Sequence, residues 1–184
     1  SPKRILEIGI GTIATVGAYG TSLKMWSDFY PTATVVGLDI DATAVNQNYG
    51  QNIETRFVDC SSVKSIKTSI NNEMYDIIID DGSHMQSHQQ NALETLWSNL
   101  SKGGVYIIED IHHFDPTFNE FYKTKHDDHH NPHTKFLLEN EITQSLFLDG
   151  IITLIDSKNI WNHLKDIDVA WEQIAFSHVL ILNK

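Results

Sequence analysis

The chain has 184 residues, 41% of them hydrophobic, and 13 basic side chains against 24 acidic ones give it a formal charge of −11. An excess of that size repels phosphate backbones, and no Lys/Arg cluster offsets it, which argues against nucleic acid as a partner. No apolar run nears the eighteen or so residues that span a bilayer, so no membrane partner is expected, and Cys60 as the single cysteine rules out an intrachain disulfide framework.

The start, Ser1-Pro2-Lys3-Arg4, has no apolar signal core. Together with the lone thiol this predicts a reducing, cytoplasmic setting. Short apolar runs then alternate with amphipathic stretches, the βαβ pattern of an α/β, doubly wound and mostly parallel Rossmann-like sheet, expected here as a single domain over 1–184. The first strand, at about 4–8, ends in Glu7-Ile8-Gly9-Ile10-Gly11-Thr12. Glycines at such a strand-to-helix turn let the backbone approach a nucleotide, and with Ala14 they satisfy a loose dinucleotide fingerprint.

The second strand, 34–38, runs into Asp39, an acid placed to hold two ribose hydroxyls. The third, 55–58, runs into Asp59-Cys60-Ser61, where an adenine edge could be read. The plainer alternative makes Asp39 and Asp59 the caps of the helices that follow. Strands at 75–80 and 104–109 carry the apolar runs Ile77–Ile79 and Val105–Ile108 and end in Asp80-Asp81-Gly82-Ser83-His84 and Glu109-Asp110. Neighbouring strands lie about 4.8 Å apart, so four carboxylates would crowd into one small volume, which needs a cation.

Between those strands, the spacing of Met85, Leu93, Leu96, Trp97 and Leu100 predicts a helix over about 84–100, capped by Ser83 and stopped by Lys102-Gly103-Gly104. An insertion of helix and loop is expected at about 117–150, its polar stretch His126–His133 forming a lid or a plain surface loop. The runs 151–155 and 174–182 read as two more strands, the last of them antiparallel.

The chemistry follows from residue types. Successive strand residues point to opposite sides, so Asp80 and Asp81 need not serve one ligand. Hard carboxylate oxygens without a nearby cysteine suit Mg²⁺, which keeps positions for two oxygens of a vicinal diol and lowers a hydroxyl pKa. His84 could then take the proton near neutral pH. Plainer readings make Asp81-Gly82-Ser83 a turn and Glu109-Asp110 a solvated strand end. His88 is expected to face solvent, and His112 or His113 to line an acceptor pocket. The spacing of His126, His129, His130 and His133 matches no standard zinc site. Trp26, Phe29, Trp97, Trp161 and Trp171 are expected in the core or at an interface.

The Glu7-x-Gly9-x-Gly11 strand end, with Asp39 and Asp59, resembles the S-adenosylmethionine site of class I methyltransferases. Gly20–Trp26, Gly37–Ile40, Asp80–His84 and Gly103–His112 resemble, more narrowly, the magnesium-dependent macrolide sugar O-methyltransferases of the mycinamicin and macrocin type. The likeness covers about residues 4–113, including the 25 residues from His84 to Glu109. It implies a class I methyltransferase fold and transfer of a methyl group from S-adenosylmethionine to a sugar hydroxyl with Mg²⁺ assistance. Asp81, Glu109 and Asp110 would be metal ligands and His84 the general base. Asp80 would face the cofactor's amino group, and Glu7, Gly9, Gly11, Ser22, Asp39 and Asp59 would form the rest of the cofactor site. Ile13 stands where a third glycine often follows. The acceptor expected is a saccharide, a nucleotide sugar or a glycosylated natural product, and the chain could form a homo-oligomer. A catechol-type acceptor and a non-catalytic cofactor-binding module are the alternatives.

Overall fold

A computed structural model describes residues 1–11, 19–110, 147–152 and 179–183. Strands β1 (Arg4–Ile8), β2 (Thr34–Asp39), β3 (Ile53–Phe57), β4 (Tyr75–Asp80) and β5 (Leu100–Ile108) are joined through helices α1 (Thr21–Phe29), α2 (Ala42–Val45), α3 (Val63–Ile70) and α4 (Gln86–Leu96). They form a seven-stranded sheet with β6 (Phe147–Ile152) and β7 (Val179–Asn183), in the order β3-β2-β1-β4-β5-β7-β6. The first five strands are parallel, and β7 runs antiparallel to both β5 and β6. The expected mostly parallel sheet with an antiparallel final strand is therefore found. Among the described residues no helix is long and apolar enough to cross a membrane.

The central strands are apolar on both faces because helices cover both. Leu6, Leu38, Ile78, Leu93, Leu96 and Tyr106 are all but inaccessible in the larger core, while Leu23 and Val35 belong to a second cluster under α1 and α2. Each such side chain contributes roughly 1.5–3 kcal/mol on burial, which anchors the strands whose ends carry the acids.

Register fixes where those ends fall. Leu38, Ile8, Asp80 and Ile108 form one rung across four strands. The next residues, Asp39, Gly9, Asp81 and Glu109, therefore emerge at one level. Backbone bonds hold them there: Gly9 N donates to Leu38 O (2.8 Å), Asp81 N to Ile8 O (2.9 Å) and Glu109 N to Asp80 O (2.9 Å).

Several boundaries differ from expectation. Met85, not Ser83, is the N-cap of α4, and it makes no side-chain cap bond. That helix ends at Leu96 in a single 3₁₀ turn, and β5 starts at once at Leu100. Lys102-Gly103-Gly104 therefore lies inside a strand, where it marks a register shift opposite Tyr75–Ile77 and places Gly103 at φ +77. At β6 the pairing breaks between Leu148 and Gly150. Polar Asp149 at that irregularity hides the strand start, so Phe147–Gly150 belongs to β6 and not to the expected insertion. The rest of that insertion, with His112, His113, the His126–His133 stretch, Ala14, Trp161 and Trp171, lies outside the described residues. Phe29 is 71% exposed and so takes no part in the core.

Candidate active site

The strand ends open onto a cleft of about 1070 Å³ whose walls include Gly9, Gly11, Ser22, Asp39, Asp59 and Asp81. With His84, which also lines it, seven of the predicted site residues thus share one cavity. Gly9 sits at φ +84, and a Cβ there would overlap the carbonyl of Asp81. Only glycine lets the β1 turn lie this close to the β4 turn. Asp39 organises the same turn: its Oδ2 accepts from Ile10 N (2.9 Å) and its Oδ1 from Asp41 N (2.8 Å). Asp39 is thus no helix cap; Asp41 takes that place, accepting from Thr43 N at 2.7 Å. Asp59 Oδ1 accepts from Ser61 N (2.9 Å) and Ser61 Oγ (2.7 Å). Ser62 caps α3, so Asp59 is not a cap either.

Glu7 and Asp80 lie beneath this surface, 2% and 3% exposed. Ser22 Oγ donates to Glu7 Oε1, which places Glu7 behind a cleft-lining hydroxyl. Burial pushes the Glu7 carboxyl up to about 7 against the opposing hydrogen bond from Ser22. Burial likewise pushes Asp80 up to about 7, against the Gly82 N–H that donates to its Oδ1 at 3.3 Å. Neither Glu7 Oε2 nor Asp80 Oδ2 has a hydrogen-bond partner among the described residues. Cys60, whose thiol burial pushes up to about 12, is no nucleophile here.

At the rim, just past the end of β4, Asp81 is exposed where Asp80 is buried. His84 Nε2 lies 3.2 Å from Asp81 Oδ1 and 3.5 Å from Asp110 Oδ2. One donor atom from each of Asp81, His84 and Asp110 falls within 4.8 Å of the others. Two carboxylate oxygens at that spacing fit a small divalent cation, with the imidazole nitrogen beside them. His84 at φ 60 and Asp110 at φ 52 both hold left-handed backbone conformations, which concentrate where function demands a fixed geometry. Burial pulls the His84 imidazole down, but the Asp81 hydrogen bond and the charges of Asp110, Asp81 and Asp80 outweigh it, so its pKa rises.

Glu109 is not brought into that group. Its carboxyl is pushed up by burial and by the charges of Asp81 and Asp110, and its carbonyl accepts from Gln89 Nε2 at 2.9 Å. Of three expected metal ligands, the structure gathers Asp81 and Asp110 and sets His84 beside them. His88, expected in solvent, instead lines the cleft, as do Met25 and Ile40. Periodicity alone gives no signal for these, since an exposed methionine on a helix reads as surface.

The comparisons with known proteins divide. An 8-demethyl-8-(2-methoxy-alpha-L-rhamnosyl)-tetracenomycin-C 3'-O-methyltransferase of Streptomyces olivaceus is 34% identical over 116 residues, 60% of this chain and 28% of that protein. The MycE methyltransferase from the mycinamycin biosynthetic pathway, solved with Mg and SAH, matches with a TM-score of 0.56 and 33% identity over 64% of this chain and 30% of its own. The chain thus spans less than a third of the length of these relatives. A zinc-regulated GTPase metalloprotein activator 1 of Schizosaccharomyces pombe is 48% identical over 50 residues, 27% of this chain and 12% of that protein. Residues 55–184 match the family model of the CobW/HypB/UreG nucleotide-binding domain. That match begins within β3 and takes in the strands carrying Asp81 and Asp110, although their sheet is the methyltransferase one; the phosphate-cradling pattern Gly-x-x-x-x-Gly-Lys-Ser/Thr does not occur in the 184 residues. The chain has the class I S-adenosylmethionine methyltransferase fold, with sugar O-methyltransferases among its homologues, and by the match over residues 55–184 it belongs to the CobW/HypB/UreG nucleotide-binding-domain family.

Proposed function

We propose that this chain carries the cofactor and metal sites of an S-adenosylmethionine-dependent O-methyltransferase that acts, with a divalent cation, on a sugar hydroxyl. The observation that supports it most is the cluster of Asp81, His84 and Asp110 at the rim of a cleft lined by Gly9, Asp39 and Asp59. A methyl donor in the cleft and an alcohol at the rim would be neighbours, which is the chief demand of an in-line transfer.

In this reading Asp39 holds the ribose, the Asp59 strand end reads the adenine, and Ser22, backed by Glu7, faces the methionine tail. Asp81 and Asp110 hold the cation, with Glu109 in reach of the same strand end. Bound Mg²⁺ would supply Lewis acidity, making the acceptor hydroxyl easier to deprotonate. His84 Nε2 receives that proton, and the two carboxylates beside it stabilise the imidazolium that results. Asp80 lies below the turn and supports it through Gly82, and a direct role toward the cofactor's ammonium asks that its buried Oδ2 face that group. The strongly acidic surface suits a small-molecule acceptor better than a nucleic acid.

The test is methyl transfer from labelled S-adenosylmethionine to panels of free sugars, nucleotide sugars, glycosylated natural products and catechols, with Mg²⁺ or excess chelator. Labelled sugar product that disappears with chelator is the expected outcome. Transfer to catechols alone would change the acceptor class, and full turnover in chelator would remove the cation from the mechanism.

A further inference from the structure

We infer that His88 is a recognition residue for the adenine end of the cofactor, an assignment that rests on the cofactor cleft proposed above. His88 stands in the first turn of α4 and lines the cleft with Val58, Asp59 and Cys60, the end of the third strand. It is half-buried, and its ring is oriented: Nδ1 lies 2.7 Å from Ser83 Oγ. The imidazole is therefore held from the same turn that carries Asp81 and His84.

Two further contacts tie α4 to the adenine side. Asn91 Nδ2, nearly one turn beyond His88, reaches Ser61 O at 3.4 Å. Hydrogen bonds from Ser61 hold the Asp59 carboxyl below its usual range, and the charge of His88 adds to that effect, which places the two side chains within electrostatic reach. A purine presents a polar edge and a flat apolar face. Asp59 offers an acceptor to the edge, and a planar ring of fixed orientation offers a surface to the face. Contact of a base with an aromatic side chain typically contributes enough to change affinity by about five- to thirtyfold. His88 supplies that ring beside Val58, Asp59 and Cys60, none of which is aromatic.

The experiment is titration calorimetry of S-adenosylhomocysteine into the full chain and its H88A and H88F variants, joined to NMR of the histidine-labelled protein. H88A should bind about five- to thirtyfold more weakly, and H88F, which keeps a ring but not the Ser83 bond, should recover part of the loss. In the unaltered chain a nuclear Overhauser contact should link adenine H2 or H8 to an imidazole that is missing from H88A. H88A affinity within twofold of the unaltered chain, or no such contact in a chain that binds, overturns this inference alone. An unaltered chain that does not bind S-adenosylhomocysteine overturns the proposed function with it.

Discussion

His84 Nε2 lies 3.5 Å from Asp110 Oδ2, across the gap between the ends of β4 and β5. Each residue holds a left-handed backbone, at about 1 kcal/mol or more apiece, so the approach is maintained at a cost. Removing one of its carboxylates should therefore weaken cation binding directly. D81N and D110N are expected to bind Mn²⁺ at least about tenfold more weakly than the unaltered chain, while keeping its circular dichroism. Titration followed by electron paramagnetic resonance checks this, and equal affinities would remove the site.

His84→Ala should lower turnover by about 10²–10⁴-fold and leave S-adenosylhomocysteine affinity nearly unchanged, as for a base whose ring nitrogen faces Asp81 and Asp110 at the rim and takes no part in holding the cofactor. A second consequence concerns stability in chelator. The folded His84 pKa is raised from 6.5, so its stabilisation is complete below about 6.5 and is lost as pH rises through the higher folded value. The unaltered chain should lose thermal stability relative to H84Q across that interval, and parallel melting profiles would contradict it.

Glu7 offers a pH dependence in the same direction from the opposite kind of group. Its carboxyl is raised from 4.5 to about 7 by burial, so the folded chain favours the neutral form. Stability is then greatest below 4.5 and falls as pH rises to about 7, by an amount on the order of 3 kcal/mol. Glu7→Gln keeps an acceptor for Ser22 without the charge. It should melt higher than the unaltered chain at pH 8 and match it near pH 4; a gap that does not change with pH would show that ionisation is not the cause.

Gly9→Ala should destabilise the chain by at least about 2 kcal/mol, because the added carbon meets backbone at Asp81 and the residue sits at φ +84. Urea denaturation measures the loss. A variant as stable as the parent would mean that the two turns part easily.

Much of this is legible in the sequence. Apolar runs ending in acid, Ile77–Ile79 before Asp80-Asp81 and Val105–Ile108 before Glu109-Asp110, point to the carboxylates at the strand ends, because the buried middle of a parallel strand disfavours a charge. Alternation allows Asp80 and Asp81 to serve different ligands, and the structure buries one and exposes the other. What periodicity could not supply was rotamer and register detail. Glu109 and Asp110 are adjacent in sequence, and only the positive φ of Asp110 shows which of them turns toward His84. The Gly103-Gly104 pair looked like a stop signal, yet β5 tolerates it as an irregularity because Tyr75 and Leu100 still pair on the far side. Sequence alone puts His88 in solvent, since a polar side chain at the start of a helix reads as exposed, whereas the neighbouring strand end leaves it half-buried in the cleft wall.

The close approach of Gly9 to the Asp81 carbonyl has a mechanical consequence. The turns proposed to carry the methyl donor and the cation meet with room for one hydrogen atom and nothing larger. Neither turn can shift without the other, so in the proposed transfer the aim would be set by the absence of a single side-chain carbon.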